Sequence, residues 1–369
     1  MVISSLRAAQ IVLCVGLCWF PDLHAQPAAL TAVAVAPDDP RLLWTGQYDN
    51  HDPLHPRFGY PGLALTFRFR GASAGIEVAT DSENSALSVL VDHGEPRLIV
   101  LSKGTNHVAL ASGLDDGPHT IEVIKRTETW QGVLTFSGLE LPPSATLLPP
   151  PLLPRRRLMF IGDSVTCGAN ADANLQCKPD PARPGSDAYH AYGMELGRRL
   201  DAQVHLVCYG GRGLTRDYRG LGVAQGILNA PQFFDLSIPT DDPSARAPWS
   251  TSAWAPDAIV ISLGTNDMGK QKTAPLNGAD WVAEYVAFLG KVRHDYPHAE
   301  IFLTEGAIST DPILRQYVQQ AAAGSRDGHV HYMAAQHYPG NGCNGHPTRE
   351  QHMHIADDME PVLREALSW

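Results

Sequence analysis

The sequence has no extended cluster of positive charge. Its 28 lysine and arginine residues stand against 39 aspartate and glutamate residues, so the formal net charge is -11. Nucleic acids and anionic membrane surfaces both attract proteins through clusters of lysine and arginine. We therefore expect neither to be the main partner. The short basic segment Arg155–Arg157 is interpreted as the solvated entrance of a strand.

Long apolar runs are missing as well, apart from one near the N-terminus. The stretch from Ile11 to Phe20 follows Arg7 and precedes Leu23–Ala25, which ends in the small residue typical of a signal-peptide cleavage site. This stretch is too short to span a bilayer comfortably. We therefore predict that residues 1–25 are a signal peptide, that the mature chain begins near Gln26, and that the protein is secreted or periplasmic. An uncleaved anchor is the alternative.

Cysteine is scarce, and no Cys-x-x-Cys pair occurs among the six cysteines. The missing pair argues against a zinc site of that type. Disulfides persist outside the cytosol, and Cys167 and Cys177 are close in sequence, so we predict a bridge between them. A bridge between Cys208 and Cys343 is a weaker prediction, and buried free thiols are the alternative.

The chain is long and apolar enough to form more than one core. It has 369 residues, of which 44% are hydrophobic, and this favours two domains. Short alternating segments separated by turn residues occupy residues 26–141 and predict a β-sandwich. The proline-rich residues 142–156 are predicted to be a stiff linker. The alternating segments are Ala64–Phe69, Leu87–Val91, Thr120–Ile124 and Val133–Phe136.

The pattern changes in residues 157–369, where apolar strand segments alternate with segments of helical period. This alternation predicts a parallel sheet covered by helices, and ligands of such sheets bind at the carboxyl ends of the strands. The strand segments are Leu158–Ile161, Val204–Val207, Ala258–Leu263 and Ile301–Thr304, and the helical segments are Ala188–Leu200, Trp281–Tyr296 and Ile355–Leu367.

Four residues suited to ester hydrolysis lie at the ends of predicted strands or just before the last helix. Ser164 offers a hydroxyl that His346 can deprotonate. The backbone N–H of Gly211 and the side-chain amide of Asn266 can donate hydrogen bonds to an oxyanion. Taken singly, each has an ordinary explanation, namely a helix cap, a surface loop, a flexible turn and an Asx-turn.

Together these residues resemble the four sequence blocks of the SGNH (GDSL-type) hydrolases. The blocks are represented, in the family's order, by Gly162–Ser164, Gly211, Gly264–Asp267 and His346–Pro347. One block arises easily by chance, whereas four in order at the ends of predicted elements do not. The serine segment is not Gly-x-Ser-x-Gly, so it does not match the usual α/β-hydrolase elbow.

A closer resemblance is to family 2 of the carbohydrate esterases. Phe160–Gly168 resembles the nucleophile block of that family, Gly211–Tyr218 its second block and Asp257–Asp267 its third. Lys125–Glu128 is similar to a motif near the end of the family's N-terminal domain. The resemblance covers nearly all of the mature chain. It implies an all-β jelly-roll sandwich domain followed by an α/β SGNH-hydrolase domain with a parallel sheet covered by helices.

The resemblance also implies roles for the residues already singled out. Ser164 would be the nucleophile and His346 the general base. The backbone N–H groups of Ser164 and Gly211, with the side chain of Asn266, would form the oxyanion hole. Members of the family remove acetyl groups from plant cell-wall polysaccharides such as xylan and glucomannan. The implied partner is thus an acetylated polysaccharide or oligosaccharide, and no metal or organic cofactor is implied.

The chain departs from the family pattern beside His346. SGNH hydrolases often carry aspartate three residues earlier, where this chain has Cys343, and the esterase family often has Asp-Trp-His-Pro, where this chain has Asn344 and Gly345 before the histidine. We therefore expect Asn344 or a backbone carbonyl near Cys343 to orient His346. The missing tryptophan removes a surface that could stack on a sugar.

Two other functions stay open on the sequence alone. One is a lipase-like or thioesterase SGNH hydrolase, against which the N-terminal domain argues. The other is a non-catalytic carbohydrate-binding protein, against which the intact Ser164 and His346 argue. Trp249 and Trp254 are candidates for substrate binding because aromatic faces stack on sugar rings, and packing against the sheet is the alternative. The oligomeric state is left open.

Overall fold

The computed structural model describes residues 33–172, 177–178, 184–269 and 276–369. The predicted signal peptide, residues 1–25, lies outside the described residues. Within them, no helix is both long enough and apolar enough to cross a membrane.

The N-terminal half of the described chain forms two antiparallel sheets. The first sheet has the strand order β1-β10-β5-β8, with β3 beside β10. The second sheet has the strand order β11-β4-β9-β6-β7, with β2 beside β4. The strands are β1 (Val33–Val35), β2 (Leu43–Thr45), β3 (Arg57–Phe58), β4 (Ala64–Arg70), β5 (Ala74–Thr80), β6 (Ala86–Val91), β7 (Arg97–Val100), β8 (Gly104–Ala111), β9 (Pro118–Lys125), β10 (Leu134–Leu141) and β11 (Thr146–Leu147).

Alternating side chains hold these two sheets together. In β4, Leu65, Phe67 and Phe69 are buried, and they share one apolar core with Ile76 of β5 and Phe136 of β10 on the other sheet. Burying a large apolar side chain of this kind contributes roughly 1.5–3 kcal/mol. The prediction of an all-β N-terminal domain is therefore confirmed by the two packed sheets.

The proline-rich residues 142–156 do more than connect the two halves. Thr146 and Leu147 form β11, which pairs antiparallel with Arg70 and Phe69 of β4, and the Leu147 side chain is buried. Proline lacks a backbone N–H and is tolerated at the edges of sheets. The first part of the expected linker is thus an edge strand of the second sheet.

The C-terminal half contains a five-stranded parallel sheet with the order β13-β12-β16-β17-β18, as predicted. A separate two-stranded ribbon, β14-β15, lies outside it. The strands are β12 (Arg156–Gly162), β13 (Ala202–Cys208), β14 (Leu236–Ile238), β15 (Ala247–Pro248), β16 (Ala258–Ser262), β17 (Glu300–Thr304) and β18 (Val330–Tyr332), and the helices are α1 (Tyr192–Leu200), α2 (Ala230–Phe233), α3 (Thr265–Met268), α4 (Gly278–Asp295), α5 (Pro312–Gly324) and α6 (Arg349–Leu367).

The central strands are apolar throughout because both of their faces are covered. In β12, Met159 and Ile161 pack in the core that includes the side chains of α4 and α5, whereas Leu158 and Phe160 pack in the core that includes those of α1 and α6. Both cores are shielded from water. Continuous apolar runs are typical of such doubly covered strands.

The register of the sheet brings its functional ends together. Gly162 at the end of β12 lies opposite Cys208 at the end of β13 and Ser262 at the end of β16. The loops that follow these strands therefore meet at one edge of the sheet, where ligands of parallel sheets bind.

The predicted disulfide pairing is wrong. Cys167 is bridged to Cys208, with 5.6 Å between their Cα atoms, and Cys177 is bridged to Cys343, with 5.3 Å between theirs. Neither the predicted Cys167–Cys177 bridge nor the weaker alternative Cys208–Cys343 forms. Proximity in sequence misled the prediction, because the fold places Cys167 beside the end of β13 and Cys177 beside the turn that precedes α6.

Candidate active site

Ser164 and His346 meet at the carboxyl edge of the parallel sheet. Ser164 follows β12 after a single residue, and its Oγ lies 2.8 Å from Nε2 of His346, which is 182 positions away in sequence. The serine side chain is partly exposed. The predicted nucleophile and base are therefore within hydrogen-bonding distance of each other at a site open to solvent.

The start of α6 holds the loop that carries His346. Thr348 caps this helix by accepting the backbone N–H of Gln351 at 3.3 Å. Gln351 Oε1 accepts the N–H groups of Thr348 at 3.1 Å and Asn341 at 3.0 Å. This reciprocal capping is worth roughly 1 kcal/mol and fixes the entry into the helix directly after the histidine.

A backbone carbonyl selects the tautomer of His346. Its Nδ1 lies 3.2 Å from the carbonyl oxygen of Cys343. Because a carbonyl oxygen only accepts, Nδ1 carries the proton and Nε2 presents its lone pair to Ser164. Burial lowers the pKa of His346, and its hydrogen bonds to the backbone of Cys343 and Asn344 oppose this shift. The neutral imidazole that a general base requires is therefore favoured.

Asn344 lies in this loop with a left-handed backbone, at φ 56°, and is exposed. Of the two expected orienting groups, the Cys343 carbonyl contacts the ring, and Asn344 acts on its pKa through the backbone. Asn170, which the sequence did not single out, places its side-chain Nδ2 3.3 Å from Nδ1 of His346. An amide can turn its oxygen to that position, where it would be a second acceptor for the Nδ1 proton.

Tight packing shapes the turn that carries Ser164. A Cβ on Gly162 would lie 2.0 Å from Oγ1 of Thr166, so this position has no room for a side chain. Within the turn, Oδ1 of Asp163 accepts the N–H of Val165 at 3.0 Å. Asp163 is fully buried, and burial raises its pKa to about 7.

The loop after β13 presents Gly211 with a φ of 76°, a conformation that favours glycine. Its carbonyl accepts the N–H of Tyr218 at 2.9 Å. The neighbouring N–H of Gly210 donates to Oε2 of Glu128 at 2.6 Å. Burial raises the pKa of Glu128 to about 7, and hydrogen bonds from Gly210 and the side chain of Trp130 oppose this shift.

Glu128 thus joins the site from the N-terminal half of the chain. Sequence reasoning placed it in the family-like segment Lys125–Glu128 without giving it a role. That segment was the available signal, because charged side chains in succession have no obvious place in the apolar core of a β-sandwich. In the structure, its side chain supports the backbone immediately before Gly211.

Asn266, in the short helix α3, connects the serine turn with the glycine loop. Its Nδ2 donates to Oδ2 of Asp163 and to the carbonyl of Arg212, both at 3.0 Å. An oxyanion bound at Asn266 would therefore have to take one of these N–H groups from its present partner. The structure places the amide between the two segments that the sequence predicted to form the oxyanion hole.

Asp267, the residue after Asn266, holds the far end of the loop that follows β13. Asp267 is fully buried and accepts the backbone N–H groups of Leu214 at 2.8 Å, Thr215 at 2.9 Å and Arg216 at 3.2 Å. A buried carboxylate needs such donors to offset the loss of hydration. The loop that carries Gly211 is therefore held at both ends, by Glu128 and by Asp267.

All four predicted residues, Ser164, Gly211, Asn266 and His346, line one open cavity of about 970 Å³. Two aromatic side chains share this cavity. Trp130, from the N-terminal half, is 59% exposed, and Tyr218, from the C-terminal half, is 51% exposed. Neither was singled out for substrate binding from the sequence. Apolar rings left open to solvent beside a reactive group are typical of a ligand site.

Trp249 and Trp254, the sequence candidates for substrate binding, do not line this cavity. Trp254 stacks on His205 with 3.6 Å between the ring centroids, and Trp249 packs edge-on against the same ring at 5.8 Å. His205 lies in the middle of β13, not at its carboxyl end. The two indoles therefore line the flank of the sheet.

The described residues bring one group of metal-ligating side chains together, Glu77, His107 and Glu140 on the first antiparallel sheet. Nδ1 of His107 lies 2.7 Å from Oε1 of Glu140, and this hydrogen bond raises the pKa of the histidine. A surface ion pair explains the group. None of the three lines the cavity of Ser164, in the part of the chain that the structure describes.

A family model described as "Carbohydrate esterase 2 N-terminal" matches residues 44–151, and one described as "GDSL-like Lipase/Acylhydrolase family" matches residues 160–357. An acetylxylan esterase / glucomannan deacetylase of Cellvibrio japonicus (strain Ueda107) is 32% identical over 338 residues, which are 91% of this chain and 91% of that protein. The chain belongs to family 2 of the carbohydrate esterases.

Solved structures of family 2 esterases have the same fold. One from Cellvibrio japonicus is 31% identical with a TM-score of 0.85, covering 92% of this chain and 99% of that chain. One from Clostridium thermocellum in complex with cellohexaose is 27% identical with a TM-score of 0.78, covering 89% and 99%. These matches confirm the family resemblance and the predicted order of an N-terminal domain before an SGNH domain.

Proposed function

We propose that this family 2 esterase removes O-acetyl groups from plant cell-wall polysaccharide through an acetyl-enzyme. The observation that carries the proposal is the 2.8 Å contact between Oγ of Ser164 and Nε2 of His346 in an open cavity that Gly211 and Asn266 also line. The relative named as an acetylxylan esterase / glucomannan deacetylase supports the choice of substrate.

In the first half of the reaction, Oγ of Ser164 attacks the acetyl carbonyl carbon while Nε2 of His346 takes the hydroxyl proton. The carbonyl oxygen becomes an oxyanion and accepts hydrogen bonds from the N–H groups of Ser164 and Gly211 and from the Asn266 amide. Collapse of the tetrahedral intermediate breaks the bond to the sugar oxygen. That oxygen takes the proton from Nε2 and leaves as the free hydroxyl.

In the second half, water attacks the acetyl-enzyme. Nε2 of His346 takes a proton from the water and returns it to Oγ of Ser164, so acetic acid is released and the serine is restored. The imidazolium formed in each half is stabilised by the dipole of the Cys343 carbonyl. A carbonyl orients the ring as an aspartate would, with less electrostatic stabilisation of the positive charge.

The exposed aromatic rings support a carbohydrate as the leaving group. Trp130 and Tyr218 come from opposite halves of the chain and both line the cavity of Ser164. The relative solved with cellohexaose shows that a β-linked glucan binds to a protein of this family. Trp130 supplies an indole face in a site where Gly345 replaces the tryptophan that the family often carries before its histidine.

We expect acetate release from acetylated xylan or glucomannan oligosaccharides to have a higher kcat/KM than hydrolysis of p-nitrophenyl acetate. The acetyl group is small, so binding energy must come from the sugar, and one methylene on the acyl side changes specificity by only about 1–3 kcal/mol. The comparison includes p-nitrophenyl butyrate and octanoate. Preference for octanoate, with no acetate released from either polysaccharide, would contradict the proposal and favour a lipase-like enzyme.

Trp130→Ala is expected to lower kcat/KM for acetylated oligosaccharides about tenfold, because an aromatic contact is worth roughly 0.5–1.5 kcal/mol and about 1.4 kcal/mol is tenfold. Hydrolysis of ethyl acetate, which has no ring, should change little. Trp130→Phe is the matched control, since it keeps a ring and loses the indole N–H that faces Glu128. If the phenylalanine variant is as impaired as the alanine variant, Trp130 acts through Glu128 and not by stacking.

We also infer export from the cytosol. Four cysteines of the described chain form two disulfides, and such bridges persist in oxidising compartments. The apolar segment near the N-terminus, predicted as a signal peptide, supports the same location.

A further inference from the structure

A second cavity, here called the junction cavity, lies where the N-terminal half meets the flank of the parallel sheet. Its volume is about 410 Å³. The rings of Trp44 and Tyr48 come from the N-terminal half, and those of His205, Trp249 and Trp254 come from the C-terminal half. In the described chain, no residue lines both this cavity and that of Ser164.

The aromatic walls of the junction cavity pack against one another. Trp254 stacks on His205 with 3.6 Å between centroids and 8° between planes, and Trp44 stacks on Tyr48 at 5.1 Å. Nε2 of His205 accepts the N–H of Gly46 at 3.1 Å, which joins the two halves. Burial lowers the pKa of His205 to about 3, so this ring is a neutral, flat part of the wall.

The indole N–H groups of the two tryptophans make hydrogen bonds to residues that do not line the cavity. The indole N–H of Trp249 donates to the hydroxyl of Tyr296, and that of Trp254 donates to Oε1 of Gln203, both at 3.3 Å. These bonds hold the ring planes in place. Preorganised aromatic walls lower the entropy that a ligand must lose on binding.

The chemistry of the lining favours an uncharged, amphipathic ligand. Among the described residues that line the junction cavity, none is Asp, Glu, Lys or Arg. Its exposed members include Asn50, His51 and Ser250, which offer polar groups beside the aromatic walls. A pyranose ring has apolar C–H faces that suit indole and hydroxyl groups that suit such a rim.

We propose that the junction cavity binds a sugar unit of the polysaccharide at a distance from Ser164, as a second carbohydrate site. The inference rests on the proposed function only for the choice of ligand. A polymer held at two places gains affinity through the high effective concentration of its second segment. A short ester, which reaches only the cavity of Ser164, gains nothing.

The test uses Ala253→Arg, which fills the junction cavity from an exposed position and removes no core side chain. Ser252→Arg is the matched control, because it adds the same charge to a neighbouring exposed residue outside the lining. Trp249→Ala removes a wall instead. Binding of unsubstituted glucomannan and xylan is measured by affinity electrophoresis, and hydrolysis of p-nitrophenyl acetate is measured in parallel.

We expect Ala253→Arg and Trp249→Ala to bind at least one of the two polymers about tenfold more weakly, with kcat/KM for p-nitrophenyl acetate unchanged. Ser252→Arg should bind as the wild type does. Wild-type polymer affinity in Ala253→Arg would overturn the proposal. If Trp249→Ala proves thermally unstable, the result for Ala253→Arg alone is decisive. Failure of the proposed function would appear separately, as no acetate released by the wild type from either acetylated polysaccharide.

Discussion

Ser164→Ala is expected to lower kcat for acetyl ester hydrolysis about 10⁴-fold or more while the fold stays intact. The hydroxyl is the only group of the protein that forms a bond to the acetyl carbon in the proposed reaction. Its removal leaves the turn unchanged, because the backbone carbonyl of Ser164 still accepts the N–H of Ala169 and Asp163 still accepts that of Val165. Initial rates of p-nitrophenyl acetate hydrolysis measure the activity, and the midpoint of thermal unfolding of each protein checks that the fold is intact.

Ser186→Ala is the matched control for this variant. Ser186 lines the same cavity and donates to Oε1 of Gln131 at 2.8 Å. Removing that hydroxyl costs a hydrogen bond, worth about 1 kcal/mol of stability, and should leave hydrolysis within about tenfold of the wild type. The nucleophile assignment would be wrong if Ser164→Ala kept a tenth of wild-type activity, or if Ser186→Ala were the more impaired of the two.

The parallel sheet was predictable because its pattern is local and strong. β12 and β16 are continuous apolar runs with every residue from Leu158 to Gly162 and from Ala258 to Ser262 buried. The antiparallel strand β8 was harder to find. In β8, Gly104, Thr105, His107 and Ala109 are exposed, so only half of the strand contributes an apolar signal.

The positions of Ser164, Gly211 and Asn266 were predictable for a topological reason. All three follow strands of one parallel sheet, and neighbouring parallel strands end at the same edge. His346 lies in the long loop between β18, a short edge strand that the sequence analysis did not find, and α6, and only the family resemblance joined it to the others. The 2.8 Å contact to Ser164 depends on how α6 packs against the sheet, which periodicity does not reveal.

The features of the site that the sequence could not predict depend on contacts between segments that are distant in the chain. Glu128 and Trp130 belong to the N-terminal half, and their approach to the cavity of Ser164 follows from the packing of two domains. The same packing draws Trp249 and Trp254 to the flank of β13. An aromatic residue in an irregular segment has the same sequence signature wherever its ring is placed.

His346→Ala is expected to lower kcat about as much as Ser164→Ala, because the two residues act as one unit. Asn344→Gly is the informative partner variant. Glycine accommodates the left-handed backbone at this position, so the variant removes the Asn344 side chain while keeping its carbonyl and that of Cys343. If the Cys343 carbonyl orients the imidazole, Asn344→Gly should cost less than about tenfold.

The pH profile of kcat/KM separates orientation by a carbonyl from orientation by a side chain. Burial lowers the pKa of His346 below 6.5, and only the neutral ring accepts the serine proton, so activity should persist below pH 6.5 before it falls. Glu128 and Asp163 also titrate near neutrality, with pKa values raised by burial to about 7. Glu128→Gln keeps an acceptor for the Gly210 N–H without titrating.

If the acid limb lies below pH 6.5 and is unchanged in Glu128→Gln and in Asn344→Gly, the titrating group is His346 and the Cys343 carbonyl orients its ring. This outcome follows from the geometry, since the carbonyl at 3.2 Å from Nδ1 remains in both variants. A limb above pH 6.5 that persists in Glu128→Gln and in Asp163→Asn, which remove the two carboxyl groups with pKa values of about 7, would contradict a lowered pKa of His346. Equal losses of activity in Asn344→Gly and His346→Ala would show that the side chain, and not the backbone, holds the base in place.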